Sequence, residues 1–267
     1  MAADVNLVEV DGRWIAYRRA GAGTPLVFLH GFLCDSRVWR PQLAELADDF
    51  DVIAWDAPGA GFSPDPPGCF AMTDWAACLA GFLDALDLGR AHIAGLSWGG
   101  LLAQELYRLA PEHVRTLILA DTYAGWKGSF GEEVARQRLT RCERESSLSP
   151  DDFVRVWVPA EFFTDGVASA VVKEMAAVVR DFHPSGFRLM ARSLAESDTT
   201  DLLPNIDVST LLLWGECDQR SPLNLARAFH AAIPGAELKL IANAGHVCNL
   251  ERPEEFTAHV RSFAGSD

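Results

Sequence analysis

Short apolar runs alternate with amphipathic segments along most of the chain. PLVFLH (residues 25–30), DVIAWD (51–56), AHIAGL (91–96), VRTLILA (114–120), STLLLWG (209–215) and AELKLIA (236–242) are each brief and apolar almost throughout. Such runs predict strands buried on both faces of a sheet, because a half-buried strand would alternate polar and apolar positions. Helical spacing lies between most of them, over 36–46, 72–86 with Thr73 or Asp74 near its start, 98–109 ended by Pro111, 222–232 and 253–263. Pro222 and Pro253 suit a first helical turn, where a missing N–H costs no hydrogen bond. Ahead of the first run, residues 7–10 and 14–18 flank Asp11-Gly12, a pair that tolerates the positive φ angles of a type I′ hairpin. Strands alternating with helices predict an α/β fold with a mainly parallel, doubly wound sheet of about eight strands.

The alternation stops between Asp121 and about Thr200, where no buried-strand run occurs and the periodicity is helical over 130–145, 149–157, 167–182 and 186–195. The pattern predicts a core of residues 1–121 and 201–267 interrupted by an insertion at 122–200. Aromatic residues Trp126, Phe153, Trp157, Phe162 and Phe163 are spread through that insertion. Arg136, Arg138, Arg141 and Arg144 raise the question of an anion site. Glu132 or Glu133 one turn earlier favours a solvated helix face instead.

Charge narrows the partners. The net charge of −14 is opposite to the cationic footprint a nucleic-acid binder needs. Residues 122–200 hold ten basic and twelve acidic side chains, so nearly all the excess acidity belongs to the core. The six cysteines show no CxxC pair or metal-ligand spacing, which predicts free thiols in a reducing compartment. Asp4 and Glu9 occupy the stretch where a signal peptide would be basic and then apolar, and no apolar run reaches membrane-spanning length. These features predict a cytoplasmic protein without membrane or nucleic-acid partners, and leave its oligomeric state open.

Candidate chemistry falls at the ends of predicted strands. Gly95-Leu96-Ser97-Trp98-Gly99 fits G-x-S-x-G, with a strand before it and a helix after it. A serine hydroxyl needs a base within hydrogen-bond reach and a carboxylate to orient that base. Asp218 follows the run at 209–215, and His246 follows the run at 236–242, giving the order serine, acid, histidine. Asp121, ending the run at 114–120, is a rival acid, and Glu216 a weaker one. Acyl transfer also needs donors for an oxyanion. The backbone N–H of Trp98 is one candidate, and that of Phe32, in His30-Gly31-Phe32-Leu33-Cys34, is the other. His30 reads as shaping the turn before Gly31, whose lack of a side chain would permit close backbone approach. Cys34, Cys217 and Cys248 each lie within two residues of one of these positions, which predicts that thiol reagents could disturb the site.

The same residues carry a resemblance that covers nearly the whole chain. HGF near residue 30, DAPGAGFS at 56–63, GLSWGG, WGECDQRSP and AGHVCNLERPEEF are similar to the motifs of the α/β-hydrolase superfamily. GLSWGGLLAQEL and GHVCNLERPEEF are most similar to the 3-oxoadipate enol-lactonase and small-esterase group. The resemblance implies an α/β-hydrolase fold with a helical cap inserted after the sixth strand, at 122–200. It also implies a triad of Ser97, Asp218 and His246 with an oxyanion hole at the amides of Phe32 and Trp98. A serine at the elbow argues against dehalogenases and epoxide hydrolases, which carry aspartate there.

The resulting expectation is a cofactor-free and metal-free serine hydrolase of a small ester or lactone, with Trp126 facing the substrate. Two alternatives stay open. One is C–C hydrolysis, lyase or perhydrolase chemistry on the same triad, and the other is a non-catalytic ligand receptor on the same fold.

Overall fold

A computed structural model describes residues 4–266, apart from the side chains of 159–161. Eight strands form one sheet: β1 (Val5–Val10), β2 (Arg13–Gly21), β3 (Pro25–Leu29), β4 (Asp51–Trp55), β5 (Ala91–Leu96), β6 (Val114–Ala120), β7 (Thr210–Gly215) and β8 (Glu237–Ile241). Their order across the sheet is β1-β2-β4-β3-β5-β6-β7-β8. From β4 to β8 every neighbouring pair is parallel, whereas β1 and β2 pair antiparallel with each other, and β2 antiparallel with β4. Asp11 and Gly12 join β1 to β2 at φ 48° and 78°, the two positive angles that their identity suggested.

The apolar runs are buried where the sheet is covered on both faces: all residues of β4, β5 and β7 are buried. β8 departs from this reading, since only Ile241 is buried along it. It is an edge strand, so one side of its backbone and much of its outer face meet solvent, and Lys239 and Glu237 are accommodated there.

Helices α1 (Arg40–Leu46), α2 (Met72–Ala85), α3 (Trp98–Leu109), α9 (Leu223–Ala232), α10 (Cys248–Glu251) and α11 (Pro253–Ala264) connect and cover the strands. The segment read as one helix over 36–46 is instead a 3-10 turn at Ser36–Trp39 followed by α1. Pro41 explains the break, because it has no N–H to donate into a continuous α-helix. Pro222 sits just outside α9 rather than within its first turn. Asp74 accepts the N–H of Ala71 at 2.7 Å and so helps start α2.

Between β6 and β7 lie α4 (Gly125–Phe130), α5 (Glu132–Glu145), α6 (Pro150–Glu161), α7 (Ser169–Arg180) and α8 (Pro184–Glu196). No strand interrupts them among the described residues. Helix α4 is absent from the sequence pattern because it is a six-residue turn containing two glycines, too short to display a period. The hydrophobic core continues without a break from the sheet into these helices, through Phe32, Trp126, Phe153, Trp157 and Phe187.

Candidate active site

The turn between β5 and α3 places Ser97 at φ 55° and ψ −114°, a conformation strained for a residue with a side chain. Backbone contacts hold it there. Its N–H donates to the Ala120 carbonyl at 2.8 Å, and its carbonyl accepts from the Thr122 hydroxyl at 2.6 Å. The flanking glycines are sterically required: a Cβ on Gly95 would lie 2.2 Å from the Gly99 carbonyl oxygen, and one on Gly99 would lie 2.2 Å from that of Leu29. Gly31 is under no such constraint, since a Cβ there would meet the Ser97 side chain at an ordinary 3.6 Å.

Two loops at the carboxyl ends of β7 and β8 bring the other groups in. His246 Nε2 lies 2.9 Å from Ser97 Oγ, and His246 Nδ1 lies 2.8 Å from Asp218 Oδ2. Asp218 Oδ1 also accepts the amides of Arg220 at 2.7 Å and Ser221 at 3.1 Å, and the Ser221 hydroxyl donates to Oδ2. All three side chains are buried. Burial works to raise the Asp218 pKa, but the His246 ring and the Ser221 donors outweigh it and hold the carboxyl below its ordinary value. Burial pushes His246 below the ordinary histidine value despite the opposing pull of Asp218, with Arg220 and Arg138 adding to the fall. The imidazole is therefore neutral at neutral pH. Held by Asp218 at Nδ1–H, it presents Nε2 to the serine hydroxyl as an acceptor.

Asp121, the rival acid, faces elsewhere. Its Oδ1 accepts the Gly215 amide at 2.8 Å, its Oδ2 lies 3.5 Å from the Cys248 amide, and burial followed by the charge of Asp218 pushes its pKa well up. Glu216 is exposed. Trp98 opens α3, where an N–H has no acceptor within the helix, and Phe32 N–H makes no backbone hydrogen bond among the described residues. The loop carrying Phe32 is held from two sides. His30 bridges its own turn and the next, with Nδ1 2.7 Å from the Gly31 carbonyl and Nε2 accepting the Ala57 amide at 3.0 Å. Asp56 accepts the amides of Ser36 at 2.7 Å and Phe62 at 3.0 Å.

Several contributors carry no signal in the sequence pattern. Glu251 accepts the Gly245 amide at 2.8 Å and both the amide and hydroxyl of Thr164, so it fixes the histidine loop against the segment after α6. The Trp98 ring is also engaged, since its Nε1–H donates to Ser193 in α8 at 3.0 Å. Trp126 is buried, stands edge-on to Phe32 at 6.0 Å and lines a cavity of about 290 Å³. Arg138 and Arg141 line the same cavity, which overturns their reading as part of a solvated face; only Arg136 and Arg144, both largely exposed, fit it. Hydrophobic neighbours on α5 were too few to show which way each arginine turns. Of the three nearby thiols, Cys34 and Cys248 are buried and pushed up by that burial, so only Cys217 is open to reagents.

Residues 26–259 match the profile of the alpha/beta hydrolase family, and the chain belongs to that family. Among its relatives, the 3-oxoadipate enol-lactonase 2 of Acinetobacter baylyi is 26% identical over 89% of this chain and 87% of its own length. The dihydrolipoyllysine-residue acetyltransferase component of the acetoin cleaving system of Cupriavidus necator is 29% identical over 99% of this chain and 70% of its own length. A solved thermophilic esterase from Thermogutta terrifontis, described with malate bound, superposes with a TM-score of 0.90, at 29% identity and 99% coverage of both chains.

Proposed function

We propose that this alpha/beta hydrolase cleaves a small carboxylic ester or lactone through an acyl-enzyme on Ser97. The observation that carries the reading is the unbroken hydrogen-bonded line from Ser97 Oγ through His246 to Asp218 at the carboxyl ends of β5, β8 and β7. Its chemistry follows from charge. As Ser97 Oγ attacks the carbonyl carbon, the neutral Nε2 of His246 takes its proton, and the buried Asp218 carboxylate stabilises the imidazolium that forms. The carbonyl oxygen becomes an oxyanion, for which the amides of Phe32 and Trp98 are the donors, each worth about 3 kcal/mol in such sites. His246 returns the proton to the leaving alkoxide. A water, deprotonated in turn by His246, then releases the acid and restores Ser97. No bound cofactor takes part in these steps.

Residues 122–200 are read as a cap over this site, with Trp126 in the substrate wall. The contacts of Trp98 with Ser193 and of Glu251 with Thr164 support that division, since each joins a group beside the serine or histidine to the inserted helices. Reaction with a fluorophosphonate probe tests the reading. One probe per chain on the peptide containing Ser97 is expected, and a wild-type protein that stays unlabelled would overturn it.

A further inference from the structure

A second cavity, of about 200 Å³, has the base itself on its wall. His246, Gly245 and Phe162 line it as buried residues, while Asp165, Cys217 and Gln219 line it as exposed ones, so the space leads from solvent to the imidazole. Its walls are tied together. The Glu251 carboxylate accepts from the Gly245 amide on one side and from the Thr164 hydroxyl on the other, joining the histidine loop to the segment after α6. A Cβ on Gly245 would lie 2.7 Å from the Phe162 carbonyl oxygen, so these two walls already meet as closely as glycine allows.

Position decides which half of a substrate the cavity suits. In the proposed reaction His246 hands its proton to the leaving alkoxide, so the alcohol oxygen must come within hydrogen-bond reach of Nε2. The 200 Å³ cavity has His246 on its wall, whereas no member of the triad lines the 290 Å³ cavity. The lining then sets the chemistry of the alcohol. The imidazole is engaged with Ser97 and Asp218, which leaves Thr164, Asp165, Cys217 and Gln219 as the polar side chains. No lysine or arginine is among the described lining residues, and Arg220 lines the other cavity. The Thr164 hydroxyl gives its proton to Glu251 and keeps lone pairs to accept with, the Asp165 carboxylate accepts, and the Gln219 amide does both. A hydroxyl group, being donor and acceptor, matches all three. A carboxylate would face Asp165 with no cation to offset it. We propose that this cavity holds the alcohol half of the ester, and that this alcohol is a short uncharged polyol. The inference rests on the hydrolase reading.

Microscopic reversibility supplies the test, because a site that releases the alcohol also receives one as acceptor. The acceptor oxygen attacks the carbonyl carbon of acyl-Ser97, its proton passes to His246 Nε2 and on to the departing Ser97 Oγ, and a new ester forms in place of the acid. With p-nitrophenyl butyrate as donor, butyryl ester and butyrate are quantified by chromatography in glycerol or glycerate at equal concentration. Their ratio does not depend on how fast the acyl-enzyme forms. The expected ester-to-acid ratio is about ten-fold or more higher with glycerol than with glycerate, whose carboxylate meets Asp165. Asp165→Asn should narrow that gap by about three-fold or more, the scale of one partly exposed charge contact. Carbamidomethylation of Cys217, in a Cys69→Ser background that removes the other exposed thiol, should cost most of the transfer to glycerol. Equal ratios for the two acceptors, a gap that Asp165→Asn leaves unchanged, or undiminished transfer after the thiol is blocked would overturn the inference. If no butyrate forms even without an acceptor, the hydrolase reading has failed, and alkylation of Cys217 then reads the cavity by itself. The rate with iodoacetate relative to iodoacetamide is expected to rise in Asp165→Asn, and an unchanged relative rate rejects the preference for an uncharged ligand.

Discussion

Among single residues, the site depends most on a histidine kept neutral inside the protein. Burial is the largest influence on His246, and the Asp218 carboxylate only partly offsets it. A base must be unprotonated to accept the serine proton, so activity is present above the folded-state pKa and is lost as pH falls through it. The acidic limb of kcat/KM is therefore expected below the ordinary histidine value of about 6.5. Asp218→Asn removes the group that raises the imidazole pKa and also lets the ring adopt the wrong tautomer. The expected outcome is a limb shifted to still lower pH and a kcat reduced by about 10³ to 10⁴. Asp121→Asn should leave the position of the limb within about 0.5 pH units, a bound well inside the roughly 1-unit spread of protein pKa values, because its hydrogen bonds go to Gly215 and Cys248 rather than to His246. A pH–rate profile of the three proteins checks both statements, and a limb moved equally by either substitution would refute the assignment of the acid.

Between elements, the site is held by the meeting of backbone with backbone. Helix α8 docks on the turn after β4 so closely that a Cβ on Gly186 would lie 2.0 Å from the Gly59 carbonyl oxygen and 2.7 Å from its Cα. Neither atom is the free end of a side chain, so the helix itself must withdraw. Gly186→Ala is expected to cost about 1–3 kcal/mol, as overpacking does, and to lower Tm by several degrees with little change in helix content. Calorimetry and circular dichroism measure this, and an unchanged Tm would show that the contact is slack.

The inner strands, and the residues that follow them, were legible in the sequence for one physical reason, which β8 at the sheet edge does not share. A strand covered on both faces is a continuous apolar run, and the polar residue that ends it stands out. Ser97, Asp218 and His246 could therefore be picked out, whereas the order serine, acid, histidine admits Asp121 as well as Asp218, and only the 2.8 Å contact of Asp218 with His246 separates them. The side on which a helical residue falls was less legible. Arg138 and Arg141 share α5 with Arg136 and Arg144, yet only packing against Trp126, Trp157 and Phe130 turns the first two inward. Glu251 was hidden by distance along the chain, because its partner Thr164 is 87 residues away. The ring of Trp98 was missed for the same reason, since Ser193 lies in a different element.

Across the whole molecule, one continuous core supports both the sheet and the helices between β6 and β7, and Ser97, Asp218 and His246 follow the carboxyl ends of strands in the middle and on one flank of the sheet. That placement is general for open α/β sheets, where loops leaving the carboxyl ends surround a crevice. The fold by itself does not set the reaction, and family membership is compatible with several chemistries. The proposed hydrolysis rests on the contact of a strained Ser97 with the His246 imidazole and of that imidazole with the buried Asp218 carboxylate. No helix among the described residues is long and apolar enough to cross a membrane.

Every step of the proposed reaction rests on Ser97 as the nucleophile. The most direct measurement is the steady-state rate of p-nitrophenyl acetate hydrolysis by the wild-type protein and by Ser97→Ala, at equal concentration and with both shown to be folded. The kcat of the variant is expected to be lower by at least about 10³, since a missing triad member leaves only binding and oxyanion stabilisation. A variant that turned over the ester at the wild-type rate would contradict the assignment of Ser97.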